Sequence, residues 1–251
     1  MMRVIIVQKY FISDEDFALN KITSDDAFHI SRVMRNKIGD EVLIGNNYKT
    51  FLVRFTHITD KVVDYEIVKE LLENHELPIN VTIIQGYPKG DKFEDVIKHG
   101  VELGAHEFIP ALMKRTQFKV DSKRMDSKVI RFNKISKEAS EQSFRAYVPH
   151  VNSFIDFKKI DFSRFKLCIV CYEENAKNGE LTNYKKALKS LNPGDDISII
   201  VGPEGGIDEA EIEYLKTLDN VVIAALGPRI LRTETVVFYA LSTISYEMEL
   251  K

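Results

Sequence analysis

The sequence predicts a two-domain α/β protein. A small β-rich domain, residues 1–73, precedes a larger domain, residues 74–251, built on a mostly parallel sheet covered by helices. Three observations carry this expectation. The first seventy or so residues break into short runs rich in Val, Ile, Phe and Tyr, separated by turn residues. Beyond about residue 80, apolar strand-like runs alternate with helical patterns of about ten or more residues, as parallel sheets require. Between the two textures lies ELLENHELPIN, a polar stretch with a proline near its end, which suits a domain boundary.

In the first domain the strand-like runs are RVIIVQKYFI, DEVLIGN, KTFLVRFTHI and KVVDYEIVKELL, with Gly45-Asn46-Asn47 as the turn between the second and third. DDAFHISRVMRNKIGD reads as a short amphipathic helix with Phe28, Ile30, Val33 and Met34 as its apolar positions and Gly39 as its stop. In the second domain VTIIQGYP leads to DKFEDVIKHGVELGA, and EFIPALM leads to KRMDSKVIRFNKISKEASEQS. KLCIVCYE is followed by TNYKKALKSL, DDISIIVGP by DEAEIEYLKTL, and VVIAALGP by RTETVVFYALSTISYEMEL. Runs such as ISIIV and VVIAAL are continuously apolar, which predicts burial on both faces.

Composition narrows the class. With 251 residues, 44% hydrophobic and 29% charged, the chain has an ordinary globular balance. It holds no apolar run of the ~18 residues that a membrane helix needs. The N-terminal apolar run meets Lys9 and then SDEDF, so it reads as a strand and not as a secretion signal. Cys168 and Cys171 are spaced C-x-x-C. Residues three apart on a strand point to opposite faces, and no second pair completes a zinc site, so they read as buried thiols of a reducing, cytoplasmic setting. No metal is expected.

Two loops carry the chemistry. ISIIV ends in Gly202-Pro203-Glu204-Gly205-Gly206, after which Asp208 and Glu211 have the spacing of a capping box. VVIAA ends in Leu226-Gly227-Pro228, followed by Arg229 and Arg232 and the last helix. Glycines at the carboxyl end of a strand let backbone approach a ligand, and ligands of open α/β sheets bind there. Neither loop is a dinucleotide or triphosphate cradle. Taken singly, the first reads as a plain tight turn and the second as a solvated arginine pair; two such loops at successive strand ends can face one cleft.

GPEGG followed by LGPRILRTET resembles the SPOUT-class methyltransferases, and specifically the RsmE family of small-subunit ribosomal RNA uridine methyltransferases. The rest of the chain agrees: PKGDKFEDVIKHGVELGAHEFIP resembles the family's first βα unit, SKEASEQSFRAYVP its Glu-Gln-x-x-Arg segment, and FHISRVMRNKIGDEV part of its PUA-like domain. Two departures stand out, Gly45-Asn46-Asn47 in place of an Asp-Gly turn and Lys114-Arg115-Thr116 in place of Arg-Ser, neither expected to touch the cofactor loops. The resemblance implies a PUA-like β-barrel followed by a SPOUT domain whose C-terminal chain forms a trefoil knot, an exception to the usual absence of knots. It implies a homodimer, with Val236, Val237, Tyr239, Ala240 and Ile244 of the last helix available for the interface. It implies S-adenosyl-L-methionine held by Gly202, Pro203, Gly205, Leu226, Gly227, Ile230, Leu231, Arg232 and Thr235, with Leu226, Ile230 and Leu231 as apolar walls.

The reaction the resemblance implies is methylation of N3 of a uridine in 16S rRNA, within the assembled 30S subunit. An arginine near the uracil carbonyls would stabilise the anion left when the N3 proton departs; Arg232 and then Arg145 are its candidates, with Glu141 and Glu204 as orienters or bases. For RNA, residues 114–137 carry nine basic and two acidic side chains, a local charge of +7 in a chain of net charge -3. Arg115, Arg124 and Arg131 belong to that stretch, Arg32 and Arg35 to a smaller basic cluster with His29 and Lys37, and Lys89 and Lys92 to the first βα unit. Two other classes stay open: a different SPOUT enzyme, such as a tRNA ribose 2'-O-methyltransferase, and a non-catalytic RNA-binding or ribosome-assembly protein.

Overall fold

The computed structural model describes residues 8–46, 48–72, 75–117, 122–174, 179 and 181–250, and divides into two units, residues 1–76 with 140–148, and residues 77–139 with 149–251. Asn47, Lys119, Asp121, the side chain of Lys123 and the start of the first expected strand lie outside the described residues.

In the first unit period-two patterning makes a five-stranded sheet. β1 (Lys9–Phe11), β2 (Lys21–Thr23), β3 (Glu41–Asn46), β4 (Lys49–Ile58) and β5 (Val62–Leu71) take the order β1-β3-β4-β5-β2. β1 runs parallel to β3, and the other pairs are antiparallel. Val42 and Ile44 on β3, and Phe51, Val53 and Phe55 on β4, alternate into one core, closed by Ile22, Ala27 and Ile30. Asn46 pairs with Lys49 across the hairpin, where Tyr48 has a φ of 61°.

The helix expected over 25–40 is shorter and faces otherwise. α1 (Asp14–Ala18) precedes α2 (Ser24–Phe28), which passes into one π-helical turn, His29–Val33. Ile30 is buried as expected, but Phe28, Val33 and Met34 are exposed. A π turn carries more residues than an α turn, so the 3.6-residue period assigns its faces wrongly.

Residues 140–148, expected within the second domain, cluster with the first unit. Polar contacts explain why. The Arg145 side chain is 2% exposed and pairs with Glu76, its Nε donating to Glu76 Oε2 at 2.7 Å. Glu76 also accepts from Ala146 N–H at 2.8 Å, and Glu141 accepts from Phe11 N–H at 3.0 Å. Buried Lys9 donates through Nζ to the carbonyl of Arg145 at 2.6 Å and to Thr50 Oγ1 at 2.8 Å. Burial lowers the Lys9 pKa to about 8 against the opposing charge of Glu76.

The second unit holds a seven-stranded sheet. β6 (Asn80–Gly86), β7 (Glu107–Leu112), β8 (His150–Val151), β9 (Ile155–Asp156), β10 (Leu167–Cys171), β11 (Asp196–Val201) and β12 (Val221–Ala224) run β12-β10-β11-β6-β7-β8, with β9 also on β7. The pairings are parallel. Both faces are covered. Ile83, Ile169 and Ile199 point into one core with α3 (Lys92–Glu102), α4 (Ser122–Gln142), α5 (Asn183–Lys189) and α7 (Thr233–Glu249); α6 (Glu209–Lys216) lies between α5 and α7 in the chain. Their neighbours Ile84, Val170 and Ile200 point into the other core, with α6 and two short 3₁₀ turns at 157–159 and 162–164. Cys168 joins this core and Cys171 the first, so the C-x-x-C pair spans both faces of a strand.

The face of α7 assigned to a dimer is largely used within the chain. Val237, Ala240 and Ile244 are fully buried, whereas Tyr239 and Tyr246 are exposed.

Removing one member of a buried ion pair strands the other charge, so Arg145→Ala is expected to lower unfolding stability by about 3 kcal/mol. Urea denaturation measures this, and an unchanged midpoint would contradict the structural role assigned to Arg145.

Candidate active site

Parallel register brings the strand ends level. Val201 lies opposite Gln85 and Cys171, and Cys171 lies opposite Ala224, so β6, β10, β11 and β12 stop at one height. The loops beyond three of them, Tyr172–Glu174, Gly202–Ile207 and Leu226–Thr233, line one cleft of about 780 Å³. That volume suits a small molecule or cofactor. Lys92, Arg115 and the exposed side of α6 complete the lining. The two glycine-proline corners therefore share a cleft.

Local sterics shape the first corner. A Cβ on Gly86 would sit 2.5 Å from Pro203 Cδ, and one on Gly202 would sit 2.8 Å from Ile207 N, so both positions need glycine for backbone to close up. The turn closes with Gly206 N–H donating to Pro203 O at 2.8 Å, and α6 then starts on the expected capping box of Asp208 and Glu211. Gly227 in the second corner has φ +126°, a backbone conformation that L side chains rarely adopt, so the turn itself calls for glycine there.

Charges pin the first corner from outside. Glu204 accepts from Lys92 Nζ at 2.7 Å and from Lys89 N–H at 3.1 Å. Burial alone would raise the Glu204 pKa, but these donors hold it below the usual carboxylate range. An ionised carboxylate so engaged is a weak proton acceptor, and Glu204 is assigned here to holding the loop. Asp208 accepts from Lys114 Nζ at 2.8 Å and Arg115 Nε at 3.3 Å, and Arg115 also donates to Gly205 O at 3.3 Å. Lys114-Arg115-Thr116 thus does touch the glycine corner, contrary to expectation. Sequence gave no sign of it, because the contact joins residues about ninety apart in the chain.

The second corner is charged differently. Arg232 caps α7, and among the described residues neither it nor Arg229 pairs with a carboxylate. Ile230 is 74% exposed beside them. Apolar Leu226, Ile230, Leu231 and Pro203 with an unpaired guanidinium can hold a flat, nucleoside-sized ligand and stabilise a nearby anion.

The structure gathers Gly202, Pro203, Glu204, Gly205, Leu226, Gly227, Ile230, Leu231 and Arg232 at the cleft, with Lys92 and Arg115. Thr235, Lys89, Arg124 and Arg131 do not line it; nor do Arg32, Arg35, Glu141 and Arg145, which belong to the first unit. The basic stretch is partly neutralised, since Arg131 pairs with Glu94 at 2.7 Å, and Lys114 and Arg115 pair with Asp208. In the small cluster Arg32 pairs with Asp60. Sequence reasoning missed Tyr172, Glu173, Glu174, Gln85 and Thr233. A polar Gln85 inside the apolar run VTIIQG was the available signal. Among the described residues no group of His, Cys, Asp and Glu could hold a metal ion.

Residues 75–245 match the family of RNA methyltransferase domains, which sets the class of the fold and its cleft. Over 255 aligned residues the chain is 42% identical to ribosomal RNA small subunit methyltransferase E of Bacillus subtilis strain 168, covering 97% of this chain and 98% of that one. A crystal structure described only as that of a hypothetical protein superposes with a TM-score of 0.87 at 39% identity, covering 97% and 99% of the two chains. Ribosomal RNA small subunit methyltransferase E of Neisseria gonorrhoeae, solved bound to S-adenosyl methionine, gives 0.76 at 25% identity, covering 95% and 97%. The chain belongs to the ribosomal RNA small subunit methyltransferase E family.

Cys168 is buried but Cys171, expected to be buried too, is half-buried at the cleft; their surroundings push the Cys171 thiol up to about 12 and raise that of Cys168, so both are protonated near neutrality. Alkylation of either thiol by iodoacetamide at about pH 8 should therefore run more slowly in native than in unfolded protein. Fast native labelling would restore a reactive role for the pair.

Proposed function

We propose that the protein transfers a methyl group from S-adenosyl-L-methionine to N3 of a uridine in 16S rRNA. The observation that carries this reading is one cleft lined by both glycine-proline loops, with Arg232, unpaired among the described residues, in its lining. The residues present fit the cofactor: apolar side chains flank exposed loop backbone, and Gly227 leaves open the space a Cβ would fill. Gly202, Leu226, Gly227, Ile230 and Leu231 would hold the adenine and ribose, with Pro203 and Gly205 shaping the opposite loop.

When bound, S-adenosylmethionine supplies a methyl group already activated on a sulfonium. The protein's part is alignment and charge. The N3 proton would leave to solvent water, the negative charge it leaves would spread over the uracil carbonyls, and the N3 lone pair would then accept the methyl group, which cancels that charge. Arg232 is suited to donate to those oxygens, because it lines the cleft and among the described residues no ion pair engages it. Arg145 and Glu141 are assigned to holding residues 140–148 in the first unit. Lys92 and Arg115 steady the first loop through Glu204, Asp208 and the Gly205 carbonyl.

The same reading takes the first unit as a PUA-like RNA-positioning domain. It takes the strand order and the last loops as a trefoil knot, and the active form as a cytoplasmic homodimer acting on the assembled 30S subunit. The exposed Tyr239 and Tyr246 of α7, and not its buried face, are the side chains available to a partner.

Arg232→Ala should lower turnover by roughly 10²–10³-fold while leaving S-adenosylmethionine affinity within about twofold. Calorimetry and a methylation assay on small subunits from a strain lacking this protein measure the two effects, and near-normal turnover would remove Arg232 from the mechanism. Nucleotide mapping in that assay should place the methyl on a uridine base; a ribose methyl, or methylation of tRNA alone, would overturn the assignment.

A further inference from the structure

Gln85 is a polar residue at the end of an apolar strand, and it is fully buried. Its Nε2 has three acceptors in reach, Thr233 Oγ1 at 2.7 Å, the carbonyl of Gly86 at 2.9 Å and that of Gly202 at 3.2 Å, among which its two hydrogens are shared. Thr233, itself 8% exposed, donates its hydroxyl proton to the carbonyl of Gly202 at 2.6 Å. The direction of each bond is fixed. A carbonyl can only accept, so the hydroxyl spends its proton on Gly202 and must accept from Gln85. Among the described residues the amide oxygen of Gln85 is buried with no hydrogen-bond partner, so the side chain acts here through its donors.

An unpaired buried oxygen destabilises, and an apolar residue such as neighbouring Ile83 or Ile84 would fill the strand without that cost. A residue that breaks the local pattern in this way points to function. What it joins indicates which function. Gly86 ends β6, Gly202 opens the first glycine corner, and Thr233 follows Arg232 and starts α7. The glycines let backbone come close enough for one amide to reach both loops.

We propose that Gln85 and Thr233 are positioning residues, a buried latch that fixes the Arg232 loop against the Gly202 loop. This rests on the proposed methyl transfer. Gly202 and Leu226–Leu231 hold the cofactor on that reading, and Arg232 addresses the base, so the latch sets the distance between the two reactants. Small displacements of reacting groups are costly to rate.

The test compares Thr233→Val, Thr233→Ser, Gln85→Leu and Gln85→Glu in the full chain. Thr233→Val keeps shape and loses the hydroxyl; it should lower kcat at least about tenfold and raise the Kd for S-adenosylmethionine several-fold, with Thr233→Ser restoring both. Gln85→Glu sets a carboxylate against the carbonyls of Gly86 and Gly202, and it draws the Thr233 hydroxyl proton away from Gly202. It should be worse than Gln85→Leu at high pH and recover as pH falls from about 9 to about 6, where the protonated acid can donate again. A merely structural role would not produce that pH profile or the serine rescue. Wild-type kcat and Kd in Thr233→Val would overturn the latch, as would a Gln85→Glu variant whose deficit does not change with pH. If the native protein itself does not turn over, the methyl-transfer reading fails, and the latch is judged on S-adenosylmethionine affinity in the same variants.

Discussion

The site depends on the register of parallel strands. With Gln85, Val201, Cys171 and Ala224 side by side, the sheet has a level carboxyl edge, and each chain leaving it must turn into the same space. A one-residue slip in any strand would exchange its two faces, moving Ile83, Ile169 or Ile199 from one core to the other. Two buried cores of opposite facing thus lock the register, and the register places the loops. Stability and site geometry are here one constraint.

The loops add what the sheet cannot. Glycines at 86 and 202 permit close approach, while ion pairs from Lys92, Lys114 and Arg115 hold the first loop down. These surface pairs are individually weak. Their value is geometric, since they commit the acids Glu204 and Asp208, while Arg232 has no ion-pair partner among the described residues. The cleft therefore has one loop whose charges are satisfied and one whose arginines are available to a substrate.

Much of this was legible in the residues. Continuous apolar runs marked strands buried on both faces, and Asp208 with Glu211 marked the start of α6. The two corners were visible as glycines at strand ends, and eight of the nine expected cofactor residues, all but Thr235, line the cleft. What sequence periodicity could not reach was contact between distant residues. Arg145 looked like a free cation until Glu76 was found beside it, sixty-nine positions away in sequence. Arg115 looked like part of a phosphate-binding stretch until it was found against Asp208 and Gly205. The π turn at His29–Val33 misled for a different reason, because it breaks the period on which the face assignment rested.

Hydrogen exchange of the native protein with and without S-adenosylmethionine tests the central claim most directly. The account predicts slowed exchange of backbone amides in residues 202–207 and 226–233, at opposite sides of one ligand. Protection of only one of these loops, or protection confined to segments that do not line the cleft, would contradict it.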